Sequence, residues 1–512
     1  MSDLLFTGGT IITVDTHHPR AEALLCRDRR IVAVGDQASV AAAARPNRQV
    51  IDLAGRALLP GFNDGHIHAL NFGIQELFIP LDGLSKGEIV DRLREHESTL
   101  GPGEFLFGSS WDYPSCPDPD IRDLDRAFPD RPVFLIQFSG HGGWVNTAAL
   151  RRLRITPTRA SWGMGGAEMD EEGRFTGILR EPWAQPRVRW MQIKRLLDRH
   201  ALREALVAAF ARLPEHGITS VQDNTFFPWV INEIRAANRL GEQTARFSCW
   251  SMGEIGIADP WFGLKHFDPD WYSRGPAKFF WDGSFSARTA WLSQPYSDKP
   301  ETRGAGTEAG RIERILRKAV RRRRQIAAHA IGDAAVAAYV EAFSRVRDLE
   351  GIRDLRFRIE HAQLIQADDI ERIAELGMIV SAQPHAAAYP EKDLDLIGAD
   401  RSSRAYPYRS LLDAGVPLAF GSDYPGESTY DPLYGIHLAV NMQSPQAISP
   451  EEAIAAYTLG SAYAEFRETE KGKLATGYLG DMVVLSADPT TIDPGSIKDI
   501  LVEMTFVDGR RV

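Results

Sequence analysis

From residue 218 onward, six short apolar runs alternate with helical stretches, and this rhythm limits the fold more than any other feature of the chain. The runs lie at 218–222, 278–281, 325–329, 356–361, 378–383 and 416–422. Segments rich in Ala, Arg, Glu and Leu, such as 334–346 and 367–376, separate them. Strands that alternate with helices form parallel sheets with right-handed crossovers. With this many units in a chain of 512 residues, the favoured closure is a (β/α)8, TIM-like barrel. Such a barrel builds its active site at the C-terminal ends of its strands. The residues that end these runs therefore carry the functional reading.

His329 ends 325–329, His361 ends 356–361, and Asp423 follows 416–422. Upstream, residues 58–70 read LLPGFNDGHIHAL, an apolar run and a Pro60-Gly61 break followed by His66 and His68 on either side of Ile67. Residues two apart on a strand face the same way, so both imidazoles aim at one point. Any one of these residues alone reads as a hydrogen-bonded histidine or a helix-capping aspartate. Together they predict a shared divalent-metal site. Lys278 lies in AKFFWDG, on a strand of large apolar side chains. Burial lowers a lysine's pKa, and the neutral amine reacts with carbon dioxide to give a carbamate, an anionic ligand suited to bridging two cations. The alternative for Lys278 is an ion pair with Asp282 or Glu360. One or two divalent ions are expected. Zinc is the first choice, and manganese, iron or cobalt are compatible with imidazole and carboxylate ligands.

The chain ends differ in character. Runs at 10–14, 30–34, 481–485 and 505–507 read as strands, with a hairpin turn at Asp508-Gly509. Neither end suffices for a stable sheet alone. Residues 1–57 and 470–512 are therefore expected to form one small composite β-sandwich domain. The barrel then occupies 58–469, with an insertion at about 71–187. That insertion is rich in Pro, Gly, aromatics and acids and reads as elaborated loops or a lid. Helical sequence follows at 187–213.

Net charge is -10, from 59 basic and 69 acidic residues, which argues against nucleic acid or an anionic membrane as the main partner. Arg321 to Arg324 end a helical pattern and read as a solvated helix terminus. The three cysteines show no C-x-x-C spacing and give no disulfide framework, as in a reducing compartment. No signal segment and no apolar run of about 18 residues is present, so a cytoplasmic location is expected. The expected partner is a small-molecule substrate, and a homodimer is a possible assembly. No G-x-S-x-G elbow, P-loop or helix-opening G-x-G-x-x-G occurs.

The order H-x-H, Lys, His, His, Asp resembles the metal-dependent amidohydrolase superfamily. The stretches 59–68, 140–146, 282–284, 329–333, 359–361 and 421–423 are similar to its amidohydrolase-3 branch, that of formamide deformylase-like hydrolases. The resemblance implies that His66, His68 and Asp423 hold a first cation, that His329 and His361 hold a second, and that carbamylated Lys278 bridges them. Glu181, in GILRE, is the alternative bridging ligand, because some relatives use a glutamate there; it could instead cap the helix that follows. A bound metal brings the pKa of water toward about 7. Asp423 would take the proton as water attacks a carbonyl carbon and pass it to the leaving amine. His141, in a glycine-rich loop, would assist at the carbonyl oxygen. Trp111, Trp144, Trp281, Phe285 and Tyr424 flank these positions and suit an aryl or alkyl substituent. Trp111, Arg288 and Tyr424 are the substrate contacts singled out. Arg288 is suited to anchoring a carboxylate or to a surface ion pair. The implied activity is hydrolysis of an amide-type C–N bond. The alternatives are a cyclic amide or ester hydrolase on the same site, and a catalytically silent metal-binding or regulatory protein on the same scaffold.

Overall fold

In the computed structural model, residues 3–137, 142–158, 166–180, 182, 185–258, 267–350 and 354–512 are described. The chain divides into two compact units. One comprises Met1–His68, Phe210–Asp423 and Thr429–Val512; the other comprises Ala69–Ala209 and Tyr424–Ser428.

The first unit contains the expected parallel sheet. Its eight strands are β1 (Phe62–Ile67), β2 (Ile218–Phe226), β3 (Arg246–Met252), β4 (Tyr272–Phe280), β5 (Ile326–Ala330), β6 (Arg358–His361), β7 (Ile379–Ala382) and β8 (Leu418–Phe420), each paired in parallel with the next. The sheet curls until β8 meets β1, giving a nearly closed barrel. Asp423 N donates to His66 O at 2.6 Å across this seam. Glycine permits the approach: a Cβ on Gly65 would stand 2.7 Å from Phe420 O, and one on Gly421 would collide with His66 N.

The outer helices bury one face each. On α1 (Ala309–Arg321), Ile312, Ile315, Leu316 and Ala319 recur at the 3.6-residue period and are buried. Helix α2 (Asp333–Glu350) follows β5, and α3 (Ala367–Leu376) follows β6. Gly377 ends α3 in the left-handed conformation, φ 63°, that a C-terminal cap favours. The arginine run beyond α1 departs from expectation in its last member. Arg321 to Arg323 are exposed, but Arg324 is buried and donates to Gly275 O at 2.9 Å. Three residues past the helix end, its guanidinium thus reaches the β4 backbone rather than solvent.

The chain ends build two further sheets in this unit, the first from N-terminal strands alone and the second from strands of both ends. One runs Arg30–Gly35, Ala23–Arg27, Leu4–Thr7, Gln49–Asp52. The other runs Arg510–Arg511, Val502–Val507, Met482–Leu485, Ala57–Pro60, Thr10–Ile12, Arg20–Ala21. Phe6 and Leu24 of the first share a buried cluster with Ile11, Leu58, Val484 and Phe506 of the second. The Phe6 and Phe506 rings meet edge-on at 5.2 Å. Asp508 (φ 54°) and Gly509 (φ 66°) make the hairpin turn. The apolar run before the H-x-H motif belongs to this second sheet through Pro60, and Gly61 hands the chain to β1.

The second unit corrects one expectation. The region read as elaborated loops is a sheet with its own core, in the order Gly166–Met169, Phe175–Arg180, Gly142–Val145, Val133–Gln137, Leu106–Trp111, Ile79–Pro80. Helices Lys86–Glu97, Ile121–Ala127 and Thr147–Leu153 accompany it. Its strands have two to six residues and several contain glycine, so no long period marks them. Further on, the helical stretch at 187–213 is two helices, Pro186–Leu197 and Arg199–Arg212; Asp198 between them accepts from His200 N at 3.0 Å and caps the second. Among the described residues, no helix is long and apolar enough to cross a membrane.

Candidate metal centre at the strand ends

The strand ends of the barrel gather the histidines and the aspartate. Asp64 first fixes the backbone on both sides of the seam. Its Oδ1 accepts from His66 N at 3.1 Å and from Ser422 N at 2.9 Å, and its Oδ2 accepts from the Ser422 hydroxyl at 2.6 Å. His66, near the end of β1, and Asp423, just past β8, are thereby held together. His66 Nε2 lies 3.3 Å from Asp423 Oδ1. His68 Nε2 donates to the same oxygen at 3.1 Å. The two-residue spacing of the H-x-H motif thus converges on one carboxylate.

His361 ends β6 with its Nδ1 4.0 Å from Asp423 Oδ2. Both residues sit in left-handed backbone, φ 73° for His361 and φ 57° for Asp423. For residues other than glycine this conformation costs of order 1–3 kcal/mol, a strain that concentrates at functional sites. His66, His361 and Asp423 offer ligand atoms within 4.8 Å of one another. His329 is one residue short of the end of β5, its ring 4.3 Å from that of His361. Its Nε2 donates to Gly283 O at 2.9 Å, which leaves Nδ1 as its remaining donor atom.

The protonation pattern suits a divalent cation, which needs unprotonated imidazoles and an ionised carboxylate. Burial pulls His66 and His329 down to about 4 and takes His361 well below the ordinary histidine value. Burial alone would favour neutral Asp423, but the surrounding His66, His68 and His361 outweigh it and hold the carboxyl well below its usual range. His66 is also oriented from behind. Its Nδ1–H donates to Glu360 Oε2 at 2.7 Å, which commits the tautomer and leaves the Nε2 lone pair toward Asp423. Arg358 Nε donates to Glu360 Oε1 at 2.7 Å. The same guanidinium donates to Gly65 O and Ser381 Oγ, each at 2.8 Å, and to Gln222 Oε1. Every member is buried, so a fully satisfied network fixes the imidazole.

Lys278, on β4, is 1% exposed, and its Nζ donates to His66 Nε2 at 3.1 Å. It also lies over the rings of Trp250 at 5.8 Å and Phe280 at 5.2 Å. Burial lowers it to about 8, against the pull of Glu360 and Asp423. Asp282 is occupied elsewhere: it accepts backbone N–H groups from Ile331 (3.0 Å), Gly332 (2.8 Å) and Trp291 (3.0 Å).

The remaining anticipated residues are placed as follows. His141 and Glu181 lie outside the described residues. Trp111 is fully buried in the core of the second unit, its indole N–H donating to Leu135 O at 3.1 Å and its ring packed on Trp144 at 5.9 Å. In this arrangement it is a packing residue, with no face free for a ligand. Tyr424 packs edge-on against Phe72 at 5.2 Å in that same unit. Arg288 donates through Nε to Asp298 Oδ2 at 2.8 Å, the surface ion pair that was its alternative reading. Trp281 and Phe285 are each 3% exposed and belong to the core.

Several site residues were not singled out from sequence. Trp250 stands 5.2 Å from the His66 ring. It is carried by β3, RFSCWSM, whose mixed composition hides a strand. Phe280, 5.5 Å from His329, is 50% exposed. The Arg358–Glu360 pair did leave a signal: two residues apart on a strand, they share a face.

Residues 49–512 match the amidohydrolase family. The chain is 31% identical to YtcJ of Bacillus subtilis over 99% of both chains. It is 26% identical to an N-substituted formamide deformylase of Arthrobacter pascens, over 99% of this chain and 98% of that one. Among solved structures it is similar to a metal-dependent hydrolase of Pyrococcus furiosus, with a TM-score of 0.79 and 28% identity over 96% of this chain and 100% of that one.

Proposed function

The chain belongs to the amidohydrolase family and is a hydrolase acting on carbon–nitrogen bonds, and from this premise we propose that it cleaves the amide bond of a small aryl- or alkyl-substituted molecule. The observation that carries the reading is the convergence of His66, His361 and Asp423 within 4.8 Å at the strand ends. A divalent cation held by these residues, zinc as the first choice, would lower the pKa of water and polarise the scissile carbonyl. His68 and His329 extend the donor set toward a second ion.

Asp423 is the proton carrier in this scheme. Ionised at neutral pH, it takes a proton from the attacking water and returns it to the leaving nitrogen. Glu360 and Arg358 keep His66 in one tautomer throughout. Burial lowers Lys278 to about 8, which makes its neutral amine accessible near neutral pH. The neutral amine would add to carbon dioxide, forming an N–C bond and releasing a proton, and the resulting carbamate would supply a further oxygen ligand beside His66. His141 is the residue proposed to assist at the carbonyl oxygen. The half-exposed ring of Phe280 beside His329 supports an aryl or alkyl substituent. The name of the Arthrobacter relative supports formamides among the first compounds to test. Three buried, unpaired cysteines support a reducing, cytoplasmic setting.

The test is release of amine from a panel of N-aryl and N-alkyl formamides and acetamides. Activity should disappear on dialysis against a chelator and return with zinc. Turnover that survives complete removal of metal would rule out the metal-assisted reading, and a preference for esters over every amide would move the substrate to the alternative class.

A further inference from the structure

Asn224 carries an anomaly that metal binding does not explain. It is 5% exposed, and both ends of its carboxamide, Oδ1 and Nδ2, are buried without a hydrogen-bond partner. Among the described residues it is the one side-chain amide with both ends so placed. A buried amide lacking both partners is costly, and such groups in native proteins call for an explanation, of which a missing ligand is one.

Its position supplies the explanation. Asp223 pairs with Ile67 on β1, so Asn224 stands level with His68, whose Nε2 is 3.1 Å from Asp423. On the other side β2 is bulged. Asp223 pairs with Cys249 and Phe226 with Ser251, so Asn224 and Thr225 together oppose Trp250. Bulges beside active sites re-aim side chains. The Thr225 hydroxyl turns back to Asp223 Oδ2 at 2.5 Å. Asn224 is two residues beyond Gln222, whose carboxamide accepts from Arg358 inside the barrel. Asn224 shares that interior face with Gln222 and Trp250.

Resting on the hydrolytic reading above, we propose that Asn224 is a specificity residue whose carboxamide pairs with the amide of the substrate. Oδ1 accepts the substrate N–H and Nδ2 donates to a substrate oxygen. The site therefore selects secondary amides that present N–H and C=O on one edge, as the cis form of a formamide does, over N-methylated amides, which lack the N–H.

The test compares formanilide with N-methylformanilide on the metal-loaded wild type and on Asn224→Leu. Wild type should prefer formanilide. The leucine variant should lose roughly 10- to 100-fold in kcat/KM on formanilide and a several-fold smaller factor on the N-methyl compound, which keeps the oxygen but lacks the N–H. Its melting temperature should be equal to wild type or about 1 °C higher, because the orphaned amide is gone. Asn224→Ala should give the same discrimination if leucine does not fold. Equal losses on both substrates, unchanged kinetics on both, or a melting temperature several degrees lower would each overturn the assignment, the last by making Asn224 structural. Wild type inert toward formanilide and every other amide removes the hydrolytic reading itself, and this inference with it.

Discussion

Asp423→Asn is expected to lower kcat/KM by about 10³-fold or more while the protein remains folded. A positioned acid–base group contributes typically 10²- to 10⁴-fold, and asparagine cannot accept the proton. The change also removes the anionic member of the His66–His361–Asp423 cluster, whose other two donors are imidazoles, which adds to the loss. The fold should tolerate it. The amide oxygen still accepts from His68 Nε2, the bond that spans 3.1 Å in the native site, and Asp64 still holds the backbone on either side. Steady-state kinetics at saturating zinc, read beside thermal melting, separate loss of the base from loss of structure. A variant with near-native turnover at native metal content would show that Asp423 is a ligand only.

Arg246→Ala is expected to cost about 3–5 kcal/mol of stability, because it strands buried charge. Arg246 opens β3 and is 2% exposed. Its Nε lies 2.6 Å from Asp481 Oδ2, one terminal nitrogen lies 2.9 Å from Asp481 Oδ1, and the guanidinium also bonds Asp508. Asp481 precedes the strand Met482–Leu485, and Asp508 sits in the C-terminal hairpin turn. One side chain thus pins the C-terminal strands to the barrel. The pH dependence has a definite sign. Burial pushes the Asp481 carboxyl up, but Arg246 prevails and holds it below its ordinary value. The pair therefore stabilises the fold at neutral pH, and this contribution fades as pH falls through about 4 toward the lower folded value. Urea unfolding at pH 7 and pH 4 should show a large deficit in the variant at pH 7 and a smaller one at pH 4. A deficit under 1 kcal/mol at both would mean that the interior accommodates the two carboxylates unaided.

The barrel was legible because its later strands are short apolar runs with helices between them, and because His329, His361 and Asp423 mark their ends. The H-x-H motif was legible because strand geometry forces its two rings onto one face. β3 was not, because Arg246, Ser248 and Ser251 interrupt its apolar pattern, and Trp250 was lost with it. Asn224 was hidden for another reason: alternation puts it on the Gln222 face, but only the packed structure shows that both ends of its amide lack partners. In the 71–187 region, glycines and two- to six-residue strands concealed a sheet. The burial of Trp111 was not legible because an aromatic near a candidate site and an aromatic in a core look alike until packing is known.

Metal content per chain, measured by elemental analysis on protein purified without chelator and with bicarbonate present, tests the centre most directly. Wild type should carry one or two equivalents of a divalent transition metal, and a variant with His66, His361 and Asp423 all replaced by alanine should carry none while retaining its fold. Metal-free wild type after reconstitution with zinc or manganese, or a triple variant that binds as much metal as wild type, would contradict the site.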